Sequence, residues 1–332
     1  MAISIGATIV RLRPDPFLIM IMIAVALATI LPVRGDTAGV ASMATDVAIA
    51  LLFFLHGAKL SREAILAGIK AWRIHLAVLF ATFAMFPLFG LALRSVADQW
   101  LNPAIGAGVL LLCLMPSTVQ SSIAFTAAAR GNVPAAICSA ALSNVLGVVL
   151  TPILVTLFFA HTTGGIHWGS ASKIGSQLLL PFIVGHLCRP MLILFLDRWK
   201  SLLTRYDRGV IVLVVYVAFS AAVVEGLWSR YSAGDLAWTL VLDAFLLTAA
   251  LIVTTFGARG LRFDTADEIA IVFCGSKKSL ASGVPIASAL FPAALVGPMI
   301  LPLMLFHQLQ LMACAVLAQR YGRRVDNPIE AF

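Results

Sequence analysis

Two polar runs interrupt otherwise apolar stretches of this chain, and they decide its fold. The first, Pro116-Ser117-Thr118-Val119-Gln120-Ser121-Ser122, follows Leu-Leu-Leu-Cys-Leu-Met and precedes Ile-Ala-Phe-Thr-Ala-Ala-Ala. The second, Gly275-Ser276-Lys277-Lys278-Ser279, follows Ile-Ala-Ile-Val-Phe-Cys and precedes Leu-Ala-Ser-Gly-Val-Pro. Unpaired backbone groups cost several kcal/mol each in hydrocarbon, so such breaks survive only where protein or enclosed water satisfies them. The two runs therefore predict two broken membrane helices.

The composition places the whole chain in a lipid bilayer. Of its 332 residues, 61% are apolar and only 11% are charged, whereas soluble chains carry roughly 25% charged residues. This excludes an ordinary soluble enzyme, a disordered chain and a secreted disulfide scaffold. The five cysteines stand singly in apolar stretches and are interpreted as small buried hydrophobic residues.

Ten apolar segments are long enough to span a bilayer. They lie at 17–33, 40–58, 74–94, 104–130, 133–160, 172–196, 209–227, 235–257, 267–291 and 293–319. With this topology, sixteen Lys and Arg residues fall on one side and four on the other. The positive-inside rule then predicts cytoplasmic termini and a plasma membrane location, the inner membrane in a bacterium. Because the basic residues lie at span ends, lipid head groups explain the net charge of +8, and nucleic acid is not expected as a partner.

The two broken segments are the fourth and ninth spans, so five spans separate equivalent positions. Equivalent spans then run in opposite directions, which is the pattern of an inverted repeat. Residues 1–165 and 166–332 are predicted to be the two five-helix repeats of one integrated membrane domain. Half-helix ends carry partial charges, so crossed broken helices form a polar site for ions or small solutes. The alternative is that Gly and Pro merely kink packed helices.

At these same residues the chain resembles the bile acid:sodium symporter (SBF-like) family, which is related to the sodium/proton antiporter fold. The resemblance covers nearly the whole chain and rests on Ala129-Arg130-Gly131-Asn132-Val133, Leu150-Thr151-Pro152 and Phe83-Ala84-Met85-Phe86-Pro87. The string Phe273–Ala281 is most similar to the divergent branch that includes the orphan member 7 of vertebrate solute carrier family 10. The resemblance implies a core domain of spans 3–5 and 8–10, a panel domain of spans 1, 2, 6 and 7, and substrate bound between them.

The sodium ligands of that family transfer poorly to this chain. Ser122 matches one of them and is the candidate sodium ligand, whereas the other positions hold Thr82, Ile123, Ala136, Ala140, Phe273 and Lys277. A sodium site needs several oxygen ligands. We therefore expect weak or absent sodium coupling, with a proton or no ion in its place, and no other cofactor.

Two adjacent lysines occupy the middle of the ninth span, where an ionisable residue costs about 2.5–3.5 kcal/mol and commonly marks a pathway. One lysine would supply the positive charge that sodium supplies in the relatives, neutralise half-helix C-terminal ends and attract an anionic substrate. Which lysine faces the site is left open, and a structural ion pair, with Asp243 as partner, is the alternative. The candidate substrate- and ion-binding residues are Ser117, Thr118, Gln120, Ser121, Ser122, Asn144, Asp243, Ser276, Lys277, Lys278 and Ser279.

These features predict a secondary transporter that moves a small organic, anionic solute by alternating access. The chain has no Walker A run (GxxxxGK[ST]), so ATP drive within it is not expected. An intramembrane enzyme would need a Ser/His, paired Asp or HExxH arrangement, and neither polar run contains a His. A non-transporting regulator is the third class. The identity of the solute and the oligomeric state are left open.

Overall fold

The computed structural model describes residues 16–59, 71–159, 178–226, 229 and 232–326, and these residues form helices joined by short connections. Eight segments are long and apolar enough to cross a membrane, and two shorter helices are also apolar. The prediction of an all-α polytopic membrane protein is therefore confirmed, whereas the predicted loop 161–171 lies outside the described residues. In chain order the helices are α1 Pro16–Ile30, α2 Asp36–Lys59, α3 Trp72–Trp100, α4 Pro103–Leu114, α5 Gln120–Ala128, α6 Val133–Phe159, α7 Leu180–Arg198, α8 Lys200–Val224, α9 Ala233–Gly260, α10 Thr265–Gly275, α11 Leu280–Leu290 and α12 Ala293–Asp326.

Both predicted interruptions are present. The fourth span divides into α4 and α5 between Leu114 and Gln120, and the ninth divides into α10 and α11 between Gly275 and Leu280. Side-chain caps mark the starts of α11 and α4. Ser279 accepts the Ser282 N–H at the start of α11 (3.1 Å), and Asn102 accepts the Ala104 N–H at the start of α4 (3.1 Å). These are the side-chain types that satisfy the free N–H groups of a first turn.

Helix α8 begins at Lys200, nine residues before the predicted start of the seventh span at 209. The charged residues that suggested a loop belong to the helix because they have partners on α2. Lys59 Nζ lies 2.6 Å from Asp207 Oδ2, and the Tyr206 hydroxyl donates to the Ala48 carbonyl at 3.0 Å. Helix α12 likewise continues beyond the predicted end at 319, to Asp326.

The helices pack in two groups. Helices α1, α2, α7 and α8 contact one another, and α8 joins them to the remaining helices through α11 and α12. Helices α2 and α7 cross at two facing glycines, because a Cβ at Gly57 would overlap the Phe182 carbonyl and a Cβ at Gly185 would overlap the Phe54 carbonyl. This close contact is typical of small residues between membrane helices.

Helix α3 contains a π-helical turn at Ala81–Met85. The Phe86 N–H bonds the Ala81 carbonyl, five residues back, instead of the Thr82 carbonyl that an α-helix would use. The next residue is Pro87, which has no N–H to offer. The Thr82 carbonyl is therefore left without a partner in its own helix, and it faces the break in the ninth span.

Candidate functional site

The two breaks contact each other directly. The Ser279 N–H donates to the Pro116 carbonyl at 2.8 Å, and the Ser122 hydroxyl donates to the Phe273 carbonyl at 2.9 Å. A further short hydrogen bond runs from the Ser117 hydroxyl to the Cys274 carbonyl. The structure thus brings the two polar runs together, as their equivalent positions predict. Each run satisfies backbone groups that the other leaves unpaired.

Helix α6 stabilises the crossing, the region in which the two breaks contact each other, with three side chains on one of its faces. The Ser143 hydroxyl accepts the Ser117 N–H (3.1 Å), and the Thr151 hydroxyl donates to the Leu114 carbonyl (2.9 Å). Asn144 bonds both breaks, because its amide donates to the Ser117 carbonyl (2.7 Å) and accepts the Ser282 hydroxyl (2.7 Å). The sequence analysis placed only Asn144 here. Ser143 and Thr151 could have been found from the four-residue spacing of Ser143, Gly147 and Thr151, since residues four apart share a helix face.

Lys278 lies in the ninth-span break with its ammonium fully buried. Its Nζ donates to the carbonyls of Thr82, Cys113 and Met115, each at 2.8 Å. The Phe86 ring centroid lies 4.2 Å from the same nitrogen. Cys113 and Met115 belong to the C-terminal end of α4, where the helix dipole is negative. Lys278 is thus the lysine that contacts a half-helix C-terminal end, and its neutralising role there stays a prediction.

Lys277 has different surroundings, although it is equally buried. Its Nζ lies 4.1 Å from the Phe125 ring centroid and 5.4 Å from that of Phe273. Among the described residues it has no hydrogen-bond partner. Aromatic faces attract a cation electrostatically, most strongly where water is excluded. The two neighbouring lysines therefore lie in separate environments and do not share one pocket.

Gln310 of α12 holds the backbone of Lys278 in place. Its side-chain oxygen accepts the Lys278 N–H (2.9 Å), and its amide donates to the Lys278 carbonyl (3.0 Å). The same amide nitrogen lies 2.9 Å from His307 Nδ1. Ser276 is buried nearby, and its hydroxyl donates back to the Val272 carbonyl at 2.6 Å.

Asp243 is fully buried in α9, but the structure does not pair it with a lysine. No side chain among the described residues forms a hydrogen bond or ion pair with either of its carboxylate oxygens. The Lys278 ammonium has its three carbonyl acceptors instead, and the Lys277 ammonium has its aromatic rings. The expected buried Lys–Asp pair is therefore corrected, because carbonyls and rings supply what the carboxylate was expected to supply.

A cavity of about 440 Å³ lies between the two groups of helices and ends at the crossing. Ligand sites in proteins commonly enclose about 300–1,000 Å³. Its polar lining at the crossing consists of Thr118, Gln120, Ser121, Asn144, Ser279 and Ser282. Ser117, Ser122, Ser276, Lys277, Lys278 and Asp243 are buried behind that surface. The expectation that a lysine of the crossing attracts the solute is therefore not met in this conformation.

Charged side chains of α2 and α8 line the other part of the cavity. Lys59 and His56 come from the last turn of α2, and Asp207 and Arg208 come from α8. Asp207 is paired with Lys59, and the Arg208 guanidinium lies 5.7 Å from the Phe17 ring centroid. With two permanent cations against one carboxylate, this lining carries a surplus positive charge. The sequence analysis assigned these residues to a membrane face and did not connect them with the site.

The side chains around the crossing do not fit a sodium ion. The Ser122 hydroxyl is engaged by the Phe273 carbonyl and by the Thr118 hydroxyl 2.8 Å away, while Ala136 and Ala140 offer no side-chain oxygen. The Thr82 hydroxyl donates to the Val78 carbonyl in its own helix at 2.8 Å. A hard cation is bound by several converging oxygen atoms. A sodium ion at Ser122 stays a prediction that this arrangement does not support.

Comparison with known proteins identifies the family. The SBF-like CPA transporter family matches residues 15–323 of the chain. An uncharacterized protein of Pseudomonas aeruginosa is 53% identical over 322 residues, 97% of each chain. The putative symporter YfeH of Escherichia coli is 50% identical over 94% of each chain, and sodium/bile acid cotransporter 7 of Danio rerio is 28% identical over 93% of this chain and 94% of its own. The resemblance stated from the sequence is confirmed, and the chain belongs to the SBF-like CPA transporter family.

Proposed function

We propose that this protein is a secondary transporter that moves a small organic anion across the membrane by alternating access. One observation carries the proposal. The 440 Å³ cavity extends from charged side chains of α2 and α8 to a crossing of two broken helices, between helix groups that meet chiefly through α8. Movement of one group against the other would expose such a cavity to opposite membrane faces in turn.

The organisation of the two halves supports this mechanism. Helices α4 and α5 would form the fourth of ten spans, and α10 and α11 the ninth, within repeats at 1–165 and 166–332. In each half the broken span lies between two long helices, α3 and α6 in the first, α9 and α12 in the second. The sixteen-to-four distribution of Lys and Arg supports cytoplasmic termini, so the cavity lined by Lys59 and Arg208 would open to the cytoplasm.

An anionic solute fits the chemistry of the cavity. Lys59 and Arg208 supply positive charge at one end, and Gln120, Ser121 and Asn144 supply hydrogen-bonding groups at the crossing. Apolar side chains such as Leu52 and Leu311 form walls between them. The expected substrate is therefore an organic acid with an apolar body and further polar groups. The names of the relatives, putative symporter and sodium/bile acid cotransporter 7, agree with solute transport.

Uptake into proteoliposomes tests the proposal. The purified protein would be reconstituted and offered radiolabelled taurocholate, succinate and glycerol 3-phosphate, each against empty vesicles, with imposed proton or sodium gradients. Ser121→Trp should abolish uptake because it fills the cavity beside the crossing. Thr248→Trp is the control, because Thr248 is exposed on α9 and does not line the cavity.

Uptake above empty vesicles that Ser121→Trp removes and Thr248→Trp retains would support transport. Equal uptake by the wild type and Ser121→Trp would contradict the role of the cavity. A chain that binds one of these anions but never moves it would instead be a regulator. Release of a chemically altered product would identify an intramembrane enzyme.

A further inference from the structure

We propose that the carbonyls of Thr82, Cys113 and Met115 form a cation-binding site, and that this chain fills the site permanently with the ammonium of its own Lys278. The chemical class of ligand is a small monovalent cation. The site stands on its geometry alone, and only its consequence for ion coupling rests on the proposed function.

Hydrogen-bond counting favours a charged occupant. Three carbonyl oxygens each lie 2.8 Å from the Lys278 nitrogen, which is a normal hydrogen-bond length. A carbonyl can only accept, so each of these contacts requires an N–H donor. An ammonium group has three such donors, whereas a neutral amine has two. The Phe86 ring, centred 4.2 Å away, adds an aromatic face that also favours a cation.

The three carbonyls are available because each has lost its helical partner. The Thr82 carbonyl is released by the π-turn of α3 and by Pro87. The Cys113 carbonyl would accept from Ser117 in a continuous helix, but the Ser117 N–H bonds the Ser143 hydroxyl instead. The Met115 carbonyl follows the last residue of α4, at the start of the break. Two separate helices thus aim three unpaired acceptors at one buried point.

The neighbouring carbonyls of the fourth-span break have other donors, which sets these three apart. Leu114 is bonded by Thr151, Pro116 by the Ser279 N–H, and Ser117 by Asn144. Without the Lys278 ammonium, the remaining three would be buried acceptors without a donor. Such an arrangement of converging oxygen atoms attracts a dissolved cation.

A tethered cation has a direct consequence for the transport cycle. Lys278 is tethered to the chain, so while it stays protonated the positive charge at the end of α4 remains as a solute binds and leaves. Its three hydrogen bonds join α3 and α4 to the ninth-span break. The proposed transporter therefore needs no dissolved sodium ion at this position.

Recovery of thermal stability by added cations distinguishes a cation-binding site from a lysine with an ordinary structural role. Lys278→Ala would be purified and its thermal unfolding followed in choline chloride, with methylammonium or sodium chloride replacing choline at constant ionic strength. We expect a lower Tm in choline and a saturable recovery of at least half the loss with methylammonium or sodium. Lys277→Ala is the matched control, since it removes an adjacent buried ammonium that has no carbonyl partner. Its Tm, and that of the wild type, should not depend on which salt is present.

Three results would overturn the proposal. The first is the same Tm for Lys278→Ala in all three salts, and the second is equal recovery in Lys277→Ala. The third comes from Lys278→Gln, which keeps two N–H donors without charge and serves where the alanine variant does not fold. If it matches the wild type, neutral donors suffice and no cation site exists. Because none of these measurements uses a solute, their failure leaves the uptake experiment standing, and the reverse also holds.

Discussion

Gln310→Leu tests a fully buried polar contact of the crossing. Gln310 is fully buried and is the residue that satisfies both the N–H and the carbonyl of Lys278. Leucine has a similar size but no polar atoms, so both backbone groups would lose their partner without loss of packing. Leaving a buried donor or acceptor unsatisfied costs about 1–3 kcal/mol. With two such groups, the free energy of unfolding should fall by roughly 2–6 kcal/mol.

The assay can use the protein's own thiols. Cys113, Cys274 and Cys314 are buried and free, so a thiol-reactive fluorophore reports their exposure on unfolding. Titration from dodecyl maltoside into dodecyl sulfate micelles then gives the free energy of unfolding. Gln308→Leu is the matched control two residues away, because the Gln308 side-chain oxygen has no partner among the described residues. It should be neutral or stabilising. Equal stability of the two variants would refute the view that Gln310 secures the ninth-span break.

Three further predictions concern the helices around the crossing. Gly185→Ala should destabilise the α2–α7 contact, because its methyl group would overlap the Phe54 carbonyl. Gly209→Ala is the control and should be neutral, because its methyl group would meet no other atom. Equal effects of the two variants in the same micelle titration would contradict this packing. Asp243→Asn should leave the free energy of unfolding unchanged or raise it, because no lysine pairs with this carboxylate. Breaking a buried ion pair costs about 3–5 kcal/mol, so a loss of that size would show that Asp243 is paired with a lysine after all. Tyr321→Phe removes a 2.7 Å hydrogen bond to the Glu268 carboxylate. It should lower the free energy of unfolding by about 1.5–3 kcal/mol, and an unchanged value would contradict that hydrogen bond.

Much of the fold could be predicted because hydrocarbon restricts the choices. Apolar length fixed most spans to within a few residues, and the two polar runs marked the breaks at Pro116 and Gly275. The start of α8 was missed because Asp207 and Arg208 look like loop residues in sequence. Only their placement beside Lys59, distant in the chain, explains why they are helical. Such pairings depend on tertiary contacts that no local pattern contains.

The position of the site could be predicted from the sequence, but the hydrogen bonds within it could not. Residue types at Ser117, Ser122 and Asn144 indicated a polar crossing, and they do meet there. Which lysine reaches the helix end could not be predicted, because side chains in an unwound segment follow no helical period. In the sequence, the π-turn that frees the Thr82 carbonyl is indicated only weakly, by the proline at position 87. The cationic cavity lining was missed because its residues lie on two helices, α2 and α8, that are far apart in sequence.

Two-sided labelling of the cavity tests alternating access most directly. A cysteine would be introduced at Ser121 in a variant lacking the five native cysteines, and oriented vesicles of both kinds would be treated with a membrane-impermeant maleimide. The transporter mechanism predicts labelling from the face on which Lys59 and Arg208 lie and also, at a slower rate, from the opposite face. Labelling from one face only, with and without a transported anion, would contradict the mechanism and leave a fixed cavity.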